Sequence, residues 1–573
     1  MYSNKQNVLQ LISLLQKAGI RDAVVCPGSR NAVIVHDLAE ARIKCHPVTD
    51  ERSAGFYAIG ISNATNRPVV VCVTSGSAVL NLAPSVAEAY YQKIPIIYVT
   101  ADRPERWIGQ MDGQTMPQQG AFGTLVHKSV SLPETPVMTK DAIANETSWH
   151  ANRLINEALI AMRRHNGPVH INVPITEPLF SFCSKELPDE RYVQYERAEG
   201  RGMVSKEAVA EWKQAKKKLI IVGQLHPSEA KEISDAIEIL SEDPTVVVIG
   251  EELSNLNDLV RGDFDDILTA SDNDKGLVPE IVVTIGGHIV SKNLKKFIRS
   301  TRPIHWHVSP DGELADTYMC ATRVIESSPL QVLNVLSGAE SDAGDDVGYS
   351  STWTSYESAI SDHLNDFIIA DGGDLNVLLR VKRHISPKWD LHVANSSIVR
   401  NLQIIRSKGN KIFCNRGING IEGSVSEAVG YWSAGTSHTL LIVGDLSFFY
   451  DQNGLWNQAV MNVATQRPLR IIVINNGGGQ IFRTLPGLEA SQVRDEYISA
   501  KHCTSAKGIA EQTGCIYCSA KTSSEIDSLM PQFLDLRGSG VAIFEVFTDP
   551  DVTERENRSR AVFCKDVVPY PIY

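Results

Sequence analysis

Short apolar runs alternate with stretches of helical periodicity in the first third of the chain. The runs are Ala23 to Cys26, Pro68 to Thr74, Ile94 to Thr100 and Val169 to Val173. Their length and their content of β-branched residues are typical of buried strands. Strands that alternate with helices predict a parallel sheet covered by helices.

The alternation recurs in two further blocks. The second contains Leu219 to Val222, Val246 to Ile249, Ile281 to Ile285 and Ile304 to Val308, and the third contains Ile412 to Cys414, Thr439 to Val443, Leu469 to Ile474 and Val541 to Val546. Residues 182–205 are polar and charged, and residues 338–348 are rich in Gly, Ala, Asp and Ser, so we interpret both as linkers. The sequence predicts an α/β protein of three consecutive domains with mostly parallel sheets, at residues 1–182, 183–348 and 349–573. A shared architecture of the first and third domains is a further expectation.

Composition narrows the class of protein. The chain has 573 residues, too many for one core, and its 43% hydrophobic and 21% charged residues are typical of a globular multidomain enzyme. A net charge of −12 argues against a nucleic-acid binder. Val8, Leu11, Ile12 and Leu15 have helical spacing, so we interpret the N-terminal segment as an amphipathic helix and not as a signal peptide. No apolar run reaches membrane-spanning length.

The cysteine pattern indicates a reducing compartment. Ten cysteines are scattered over the chain, which favours a cytoplasmic location over a disulfide framework. Cys515 and Cys518 form a CxxC, but it lies in a strand-like run and no second CxxC completes a zinc site. His305 and His307 share one face of a predicted strand without a third ligand. For both pairs we favour packing over metal binding.

Polar residues follow two predicted strands of the third block. Gly444-Asp445 comes directly after one strand, and Asn475-Asn476, followed by three glycines, comes after the next. Ligands of open parallel sheets bind at the carboxyl ends of the strands. Carboxylate, amide and backbone oxygens suit Mg²⁺ shared with a phosphate, which the glycines let the main chain approach. Gly-Asp alone is most often only a turn, and the second strand end is what favours a functional interpretation.

Gly-Asp, a spacer of 29 residues and Asn-Asn together resemble the signature of thiamine-diphosphate enzymes. The resemblance implies a thiamine-diphosphate-binding fold and a bound metal, Mg²⁺ or Mn²⁺. It makes Asp445 and Asn476 the side-chain ligands of the metal and Gly478 the source of a carbonyl ligand. The spacer is slightly longer than usual, and Leu446 replaces the commoner second glycine.

Thiamine chemistry also needs a carboxylate that faces the aminopyrimidine of the cofactor. Asp50-Glu51 follows a short extended run, His46 to Thr49, and precedes a helix of small residues, Ser53 to Gly60. A carboxylate at such a junction is equally well explained as a charge at a helix N-terminus. The metal motif makes Glu51 our candidate for the activating carboxylate.

Further motifs resemble one family closely, over essentially all three blocks. They are Cys26-Pro-Gly-Ser-Arg30, Thr74-Ser-Gly-Ser-Ala78, Thr100-Ala-Asp-Arg-Pro104, Gly113-Gln114, Asn415-Arg-Gly417 and Gly478-Gly-Gln-Ile-Phe482. The family is that of 2-succinyl-5-enolpyruvyl-6-hydroxy-3-cyclohexene-1-carboxylate synthase, of menaquinone biosynthesis. The resemblance implies a transferase that decarboxylates 2-oxoglutarate, releases CO₂ and adds the succinyl unit to isochorismate in a 1,4 sense.

The resemblance also implies the site residues. Those for the two dicarboxylate substrates, besides Glu51, are Ser29, Arg30, Arg103, Gln114, Lys292, Arg400 and Arg416. Those for the cofactor, besides Glu51, are Asn395, Ser396, Ile421, Gly444, Asp445, Leu446, Ser447, Asn476, Gly478, Gln480, Ile481, Phe482 and Leu485. Ile421 is expected to hold the cofactor in its bent conformation. Arginines bind carboxylates through two parallel hydrogen bonds, so we expect a cationic cleft in this acidic protein.

In related enzymes the pyrimidine side of the site belongs to one subunit and the diphosphate side to another. The resemblance therefore implies a homodimer as the minimal active unit, with a homotetramer as the alternative. Two other interpretations stay open. One is a different thiamine-dependent enzyme, such as a 2-keto acid decarboxylase or an acetohydroxyacid synthase, and the other is a non-catalytic binding protein on the same scaffold.

Overall fold

Three β-sheets follow one another along the chain, each covered by helices. The computed structural model describes residues 1–134, 142–196, 204–271, 274–339, 348–367, 369–407, 409–461, 467–485 and 487–567. In these ranges the sheets contain six, five and six strands. All neighbouring strands within a sheet are parallel. The predicted fold class, three consecutive α/β domains with parallel sheets, is confirmed.

The first sheet lies within residues 22–174. Its strands are β1 (Asp22–Val25), β2 (Lys44–Pro47), β3 (Val69–Val73), β4 (Ile96–Asp102), β5 (Lys128–Ser131) and β6 (Val169–Pro174), in the order β2-β1-β3-β4-β6-β5. Its helices are α1 (Gln6–Lys17), α2 (Ala32–Glu40), α3 (Glu51–Thr65), α4 (Ser77–Asn81), α5 (Ala83–Gln92) and α6 (Ala142–His165). The predicted N-terminal helix is confirmed as α1. The prediction missed β5 because this edge strand has mostly polar residues.

The middle sheet has five strands. They are β7 (Lys218–Val222), β8 (Val246–Gly250), β9 (Ile281–Ile285), β10 (Ile304–Val308) and β11 (Ala321–Ile325), in the order β11-β10-β9-β7-β8. Its helices are α7 (Lys206–Gln214), α8 (Pro227–Ser241), α9 (Phe264–Ala270), α10 (Lys292–Thr301) and α11 (Pro329–Ser337). His305 and His307 both lie within hydrogen-bonding distance of the Thr284 hydroxyl, at 2.9 and 3.0 Å, which agrees with the packing interpretation.

The third sheet is the last. Its strands are β12 (Trp389–Val393), β13 (Ile412–Phe413), β14 (His438–Gly444), β15 (Pro468–Asn475), β16 (Ile516–Ala520) and β17 (Gly540–Phe547), in the order β13-β12-β14-β15-β17-β16. The helices from residue 349 onwards are α12 (Tyr349–Asn365), α13 (Asp374–His384), α14 (Ser397–Ile405), α15 (Ser424–Ala434), α16 (Asp445–Tyr450), α17 (Gln458–Met461), α18 (Lys507–Thr513), α19 (Ser523–Phe533) and α20 (Pro550–Lys565). The prediction missed β12, whose Asp390 and His392 are polar but buried.

The first and third sheets have the same topology. Counted along the chain within each domain, both have the order second, first, third, fourth, sixth, fifth. The expected shared architecture is therefore confirmed. In the third sheet, β14 and β15 are neighbours, with Gly444 opposite Ile474, so the two predicted polar strand ends meet at one edge.

The exact domain boundaries remain predictions. Residues 182–196 form neither helix nor strand, apart from a bridge between Tyr2 and Ser184, and residues 197–203 and 340–347 of the predicted linkers lie outside the described residues. Helix α12 packs on the middle sheet, because Tyr349 and Trp353 are buried in one cluster with Leu219.

Helices α3 and α15 join the first and third domains through glycines. A Cβ on Gly60 would lie 2.0 Å from the Glu427 carbonyl oxygen, and one on Gly430 would lie 2.1 Å from the Tyr57 carbonyl oxygen. Both distances are far below van der Waals contact, so only glycine lets the two backbones approach this closely. One apolar cluster continues from the first sheet through both helices into the third sheet.

We expect Gly430→Ala to destabilise the protein. The added methyl group meets backbone atoms, and overpacking a core costs about 1–3 kcal/mol. The urea concentration at the unfolding midpoint should fall. Gly508→Ala in α18 is the control, because an added Cβ there has nothing within 4 Å and improves helix propensity. An unchanged midpoint for Gly430→Ala would contradict the close contact.

All ten cysteines are free thiols. Among the residues that the structure describes, no helix combines the length and the apolar character needed to cross a membrane.

Candidate functional site

The predicted metal ligand Asp445 is buried directly after β14, at the carboxyl edge of the third sheet. Its Oδ1 accepts the N–H of Leu446 at 2.6 Å, and its Oδ2 accepts the N–H groups of Asn476 and Gly478 at 3.1 and 3.0 Å. The loop after β15 is thereby folded onto the carboxylate. Burial raises the pKa of Asp445, because it disfavours the charged carboxylate. A cation beside the carboxylate would have the opposite effect and favour the charged form.

Asn476 offers one side-chain atom to a ligand. Its Nδ2 donates to Asp374 Oδ2 at 3.2 Å, and Asp374 is itself held by the Thr548 hydroxyl at 2.6 Å. Asn476 Oδ1 is buried and has no hydrogen-bond partner among the described residues. A buried acceptor without a partner is costly, and a metal ion would satisfy it.

This donor set fits a hard divalent cation that is shared with a phosphate. In the described parts of the chain, no group of three or more His, Cys, Asp or Glu side chains is arranged to hold a metal. Mg²⁺ is commonly held by one or two protein oxygens together with phosphate and water, which matches Asp445 and Asn476. The carbonyl of Gly478 accepts the N–H of Gln480 at 3.0 Å and keeps a second lone pair for a ligand.

Other predicted cofactor residues lie near this edge. Ser396 precedes α14 with φ 72°, and the hydroxyl of Ser447 in α16 donates to the carbonyl of Ile421, whose own side chain is 40% exposed. The Nδ2 of Asn395, another predicted cofactor residue, donates to the carbonyl of Gly420 at 2.7 Å. It braces the loop that leads to Ile421.

The apolar members of the predicted cofactor set follow the Asn476 loop. The short turn Gln480–Thr484 contains Ile481 and Phe482, and Leu485 comes next. Gln480 and Ile481 line a cavity of about 200 Å³ together with Arg400. The structure thus brings two predicted cofactor residues and one predicted substrate arginine into one cavity.

Arg400 and Arg416 form no ion pair among the described residues. Arg416 is buried, and its Nη1 donates to Asn395 Oδ1 at 3.1 Å. Burial and the neighbouring Arg416 lower the pKa of Arg400. The carboxyl of Glu251 is near both, but burial raises its pKa to about 7, and it accepts two backbone N–H groups at 2.7 Å. Positive charge is therefore concentrated here.

Glu51 is the first residue of α3 and is half-buried. The N-capping role belongs to Asp50, whose side chain accepts the N–H of Ser53 at 3.1 Å. Glu51 Oε2 accepts one hydrogen bond, from Asn81 Nδ2 at 3.1 Å. Asp50 also accepts from Asn453 Nδ2 at 2.7 Å, so the start of α3 touches the segment after α16 in the same chain.

Arg30 and Arg103 lie together in the first domain. Arg30 is buried and donates to the Ile175 carbonyl at 3.0 Å and to Glu177 Oε1 at 3.1 Å. Arg103 pairs with Asp112 at 3.0 Å, and its Nη1 lies 3.7 Å from the same Glu177 oxygen.

The remaining predicted substrate residues are exposed. Ser29 and Gln114 lie near the first-domain arginines in sequence. The backbone of Gln114 packs closely on Gly76, where an added Cβ would lie 3.3 Å from the Gln114 Cα. Lys292 is exposed at the start of α10. Within the described ranges, no hydrogen bond or ion pair joins the first-domain arginines to Arg400. The described residues thus contain two groups of substrate arginines with no direct bond between Arg400 and the first-domain pair.

Sequence reasoning missed the residues that support the site from other elements. Asp374 at the start of α13 is one of them. Another is His502, whose Nε2 lies 3.3 Å from Asp445 Oδ2. A third is Glu88 in α5, which accepts the N–H groups of the two residues after Arg416 at 2.7 and 2.9 Å, and burial raises its pKa to about 7. No local pattern marks these residues, because their partners are distant in sequence.

Comparison with known proteins finds relatives over nearly the whole chain. Residues 8–126 match the family described as thiamine pyrophosphate enzyme, N-terminal TPP binding domain, and residues 182–393 match the one described as middle domain of thiamine pyrophosphate. A protein of Phocaeicola vulgatus is 42% identical over 96% of this chain and 97% of its own length. One of Bacteroides thetaiotaomicron is 42% identical over 93% and 94%, and one of Desulfotalea psychrophila is 34% identical over 95% and 99%. All three are named 2-succinyl-5-enolpyruvyl-6-hydroxy-3-cyclohexene-1-carboxylate synthase.

Proposed function

Since the chain belongs to the 2-succinyl-5-enolpyruvyl-6-hydroxy-3-cyclohexene-1-carboxylate synthase family, we propose that it catalyses the reaction of that name. It decarboxylates 2-oxoglutarate with thiamine diphosphate and adds the succinyl unit to isochorismate in a 1,4 sense. The products are CO₂ and the cyclohexene carboxylate, an intermediate of menaquinone biosynthesis.

Thiamine diphosphate is the cofactor in this proposal, and Mg²⁺, with Mn²⁺ as the alternative, is the metal. When bound, the cofactor supplies the carbanion chemistry that decarboxylation and carbon–carbon bond formation need. Asp445 and Asn476 hold the metal, and Gly478 offers its carbonyl. Glu51 accepts and returns a proton at a ring nitrogen of the aminopyrimidine.

In this proposal Arg400 and Arg416, which form no ion pair among the described residues, determine which donor the enzyme prefers. Two neighbouring guanidinium groups without a bound carboxylate favour a dianion such as 2-oxoglutarate over the monoanion pyruvate. Ile481 lines the same cavity as Arg400, and with Phe482 and Leu485 it is suited to exclude water. A poorly hydrated site favours decarboxylation, because charge leaves a localised carboxylate. The acceptor is proposed to bind to Ser29, Arg30, Arg103, Gln114 and Lys292.

We expect CO₂ release from 2-oxoglutarate and not from pyruvate when thiamine diphosphate, Mg²⁺ and isochorismate are supplied. Arg400→Gln should raise KM for 2-oxoglutarate by about 10- to 100-fold, because a charge-assisted hydrogen bond is lost. Arg537→Gln is the control, since this arginine is 91% exposed and pairs with Asp535. Faster turnover of pyruvate would favour a decarboxylase or an acetohydroxyacid synthase, and no turnover of either acid would favour a non-catalytic protein.

A homodimer is the minimal active unit in this proposal, with a homotetramer as the alternative. Leu80, Tyr450 and Trp456 are 50, 50 and 51% exposed. They lie near the segment that contains Glu51. Asn81 bonds Glu51, Arg52 bonds the Tyr450 carbonyl at 2.7 Å, and Asn457, the residue after Trp456, forms a β-bridge with Val48. Large exposed apolar side chains beside a catalytic group are typical of surfaces that a partner covers. Light scattering after size exclusion distinguishes dimer from tetramer. The ten free thiols support a cytoplasmic location.

A further inference from the structure

Glu177, just after β6, contacts both first-domain arginines. One of its carboxylate oxygens, Oε1, lies 3.1 Å from Arg30 Nη2 and 3.7 Å from Arg103 Nη1. The exposed fractions of the three side chains are 66% for Glu177, 7% for Arg30 and 24% for Arg103. The carboxylate thus approaches a pair of inward-lying guanidinium groups from the solvent side, as a substrate carboxylate would.

Arg30 does not depend on Glu177 for its position. Its Nη1 donates to the carbonyl of Ile175 at 3.0 Å, and the side chain is enclosed by the protein. Arg103 is likewise held by Asp112 and by the carbonyl of Gly113, at 3.0 and 3.1 Å. Both guanidinium groups therefore keep protein partners when Glu177 moves away. Because Glu177 is 66% exposed, the ion pair is open to solvent on its carboxylate side, where another carboxylate can take its place.

The two groups of predicted substrate arginines differ in how their charge is balanced. Arg30 and Arg103 face two carboxylates, Glu177 and Asp112. Arg400 and Arg416 have no ion pair among the described residues. A dianionic donor therefore meets two arginines without an ion-pair partner in the described part of the chain, whereas an anionic acceptor meets arginines that are already ion-paired.

We infer that Glu177 occupies the position of an acceptor carboxylate in the free protein. This inference rests on the proposed function, in which Arg30 and Arg103 bind the acceptor. The acceptor must displace Glu177 from both guanidinium groups, so its apparent affinity is lowered by the strength of that contact. The donor binds without such a displacement. Glu177 thereby sets the affinity for the acceptor alone.

Glu177→Gln tests this inference because it removes the charge and keeps the size of the side chain. KM for isochorismate should fall by about two- to five-fold, the range expected when an ion pair with a solvent-exposed carboxylate is lost. KM for 2-oxoglutarate and kcat should stay unchanged. Glu177→Ala should shift the acceptor KM in the same direction. A role that is only structural would raise the acceptor KM or lower kcat instead.

Glu134→Gln is the matched control. Glu134 is a nearby exposed carboxylate that bonds Arg106 and Thr176 and contacts neither Arg30 nor Arg103. Removing the charge of Glu134 should leave both KM values unchanged. This control distinguishes displacement of Glu177 by the acceptor from a general effect of removing one negative charge. An acceptor KM that is unchanged or raised in Glu177→Gln would overturn the inference. If the wild-type protein shows no saturable use of isochorismate, the proposed function itself fails.

Discussion

Glu51→Gln is expected to lower kcat by about 10²- to 10⁴-fold, the usual contribution of a positioned acid or base. The glutamine keeps the size of the side chain and its bond to Asn81, but it cannot exchange a proton with the aminopyrimidine. Binding of thiamine diphosphate should change little, because we assign the diphosphate end to Asp445 and Asn476. Steady-state kinetics and calorimetric titration with the cofactor measure the two effects separately.

The competing explanation is that Glu51 is only a charge at the start of α3. Loss of such a charge costs about 0.3–1 kcal/mol of stability and leaves turnover intact. Asp50 caps the helix, so this explanation leaves Glu51 only the effect of its charge in the first turn. Glu207→Gln is the control, since Glu207 is an exposed acidic residue in the first turn of α7. Wild-type turnover in Glu51→Gln would remove this residue from the mechanism.

Asp445→Asn is expected to weaken Mg²⁺-dependent binding of thiamine diphosphate by at least about 100-fold. Loss of a residue that only hydrogen-bonds to a metal ligand already lowers metal affinity by about 10- to 100-fold, and Asp445 is proposed to be a ligand itself. Turnover should be lost with the cofactor. Asp495→Asn is the control, since Asp495 lines the same cavity of about 440 Å³ as Asn476 but pairs with Arg483. Cofactor affinity close to that of the wild type in Asp445→Asn would refute the metal site.

A mixture of Glu51→Gln and Asp445→Asn proteins tests whether the site is shared between subunits. In a mixed dimer, one of the two sites would combine an intact Glu51 from one chain with an intact Asp445 from the other. Random exchange of subunits of a C₂ dimer should then restore about a quarter of wild-type activity. If both residues of one chain served the same site, the mixture would stay inactive.

Most of the strands that the sequence located are buried by helices over most of their length, and several are buried at every residue. Such strands are continuous apolar runs, and β3, β7 and β15 are examples. The pattern failed for β5 and β11, because an edge strand has fewer residues to bury. It failed for β12 for another reason. There Asp390 is buried but satisfied by the Tyr431 hydroxyl at 2.7 Å, a partner that local periodicity does not reveal.

Part of the candidate site was predictable because its residues follow their strands directly. Asp445 and Asn476 come straight after β14 and β15, and parallel neighbours place their carboxyl ends side by side. The bond of Asn476 to Asp374 was not predictable, since it joins residues 102 positions apart. The same holds for Glu177 and Arg30, which are 147 positions apart.

The sequence by itself determined the α/β class, the repeated alternation of strands and helices, and the residue types at the two polar strand ends of the third sheet. These features depend on local periodicity and on short motifs, which act within one element. Only the tertiary structure decided which polar groups are satisfied, which arginines form ion pairs, and how closely α3 and α15 approach. Such properties depend on contacts between distant segments, and their free energy is set by burial and by partners that no local pattern specifies.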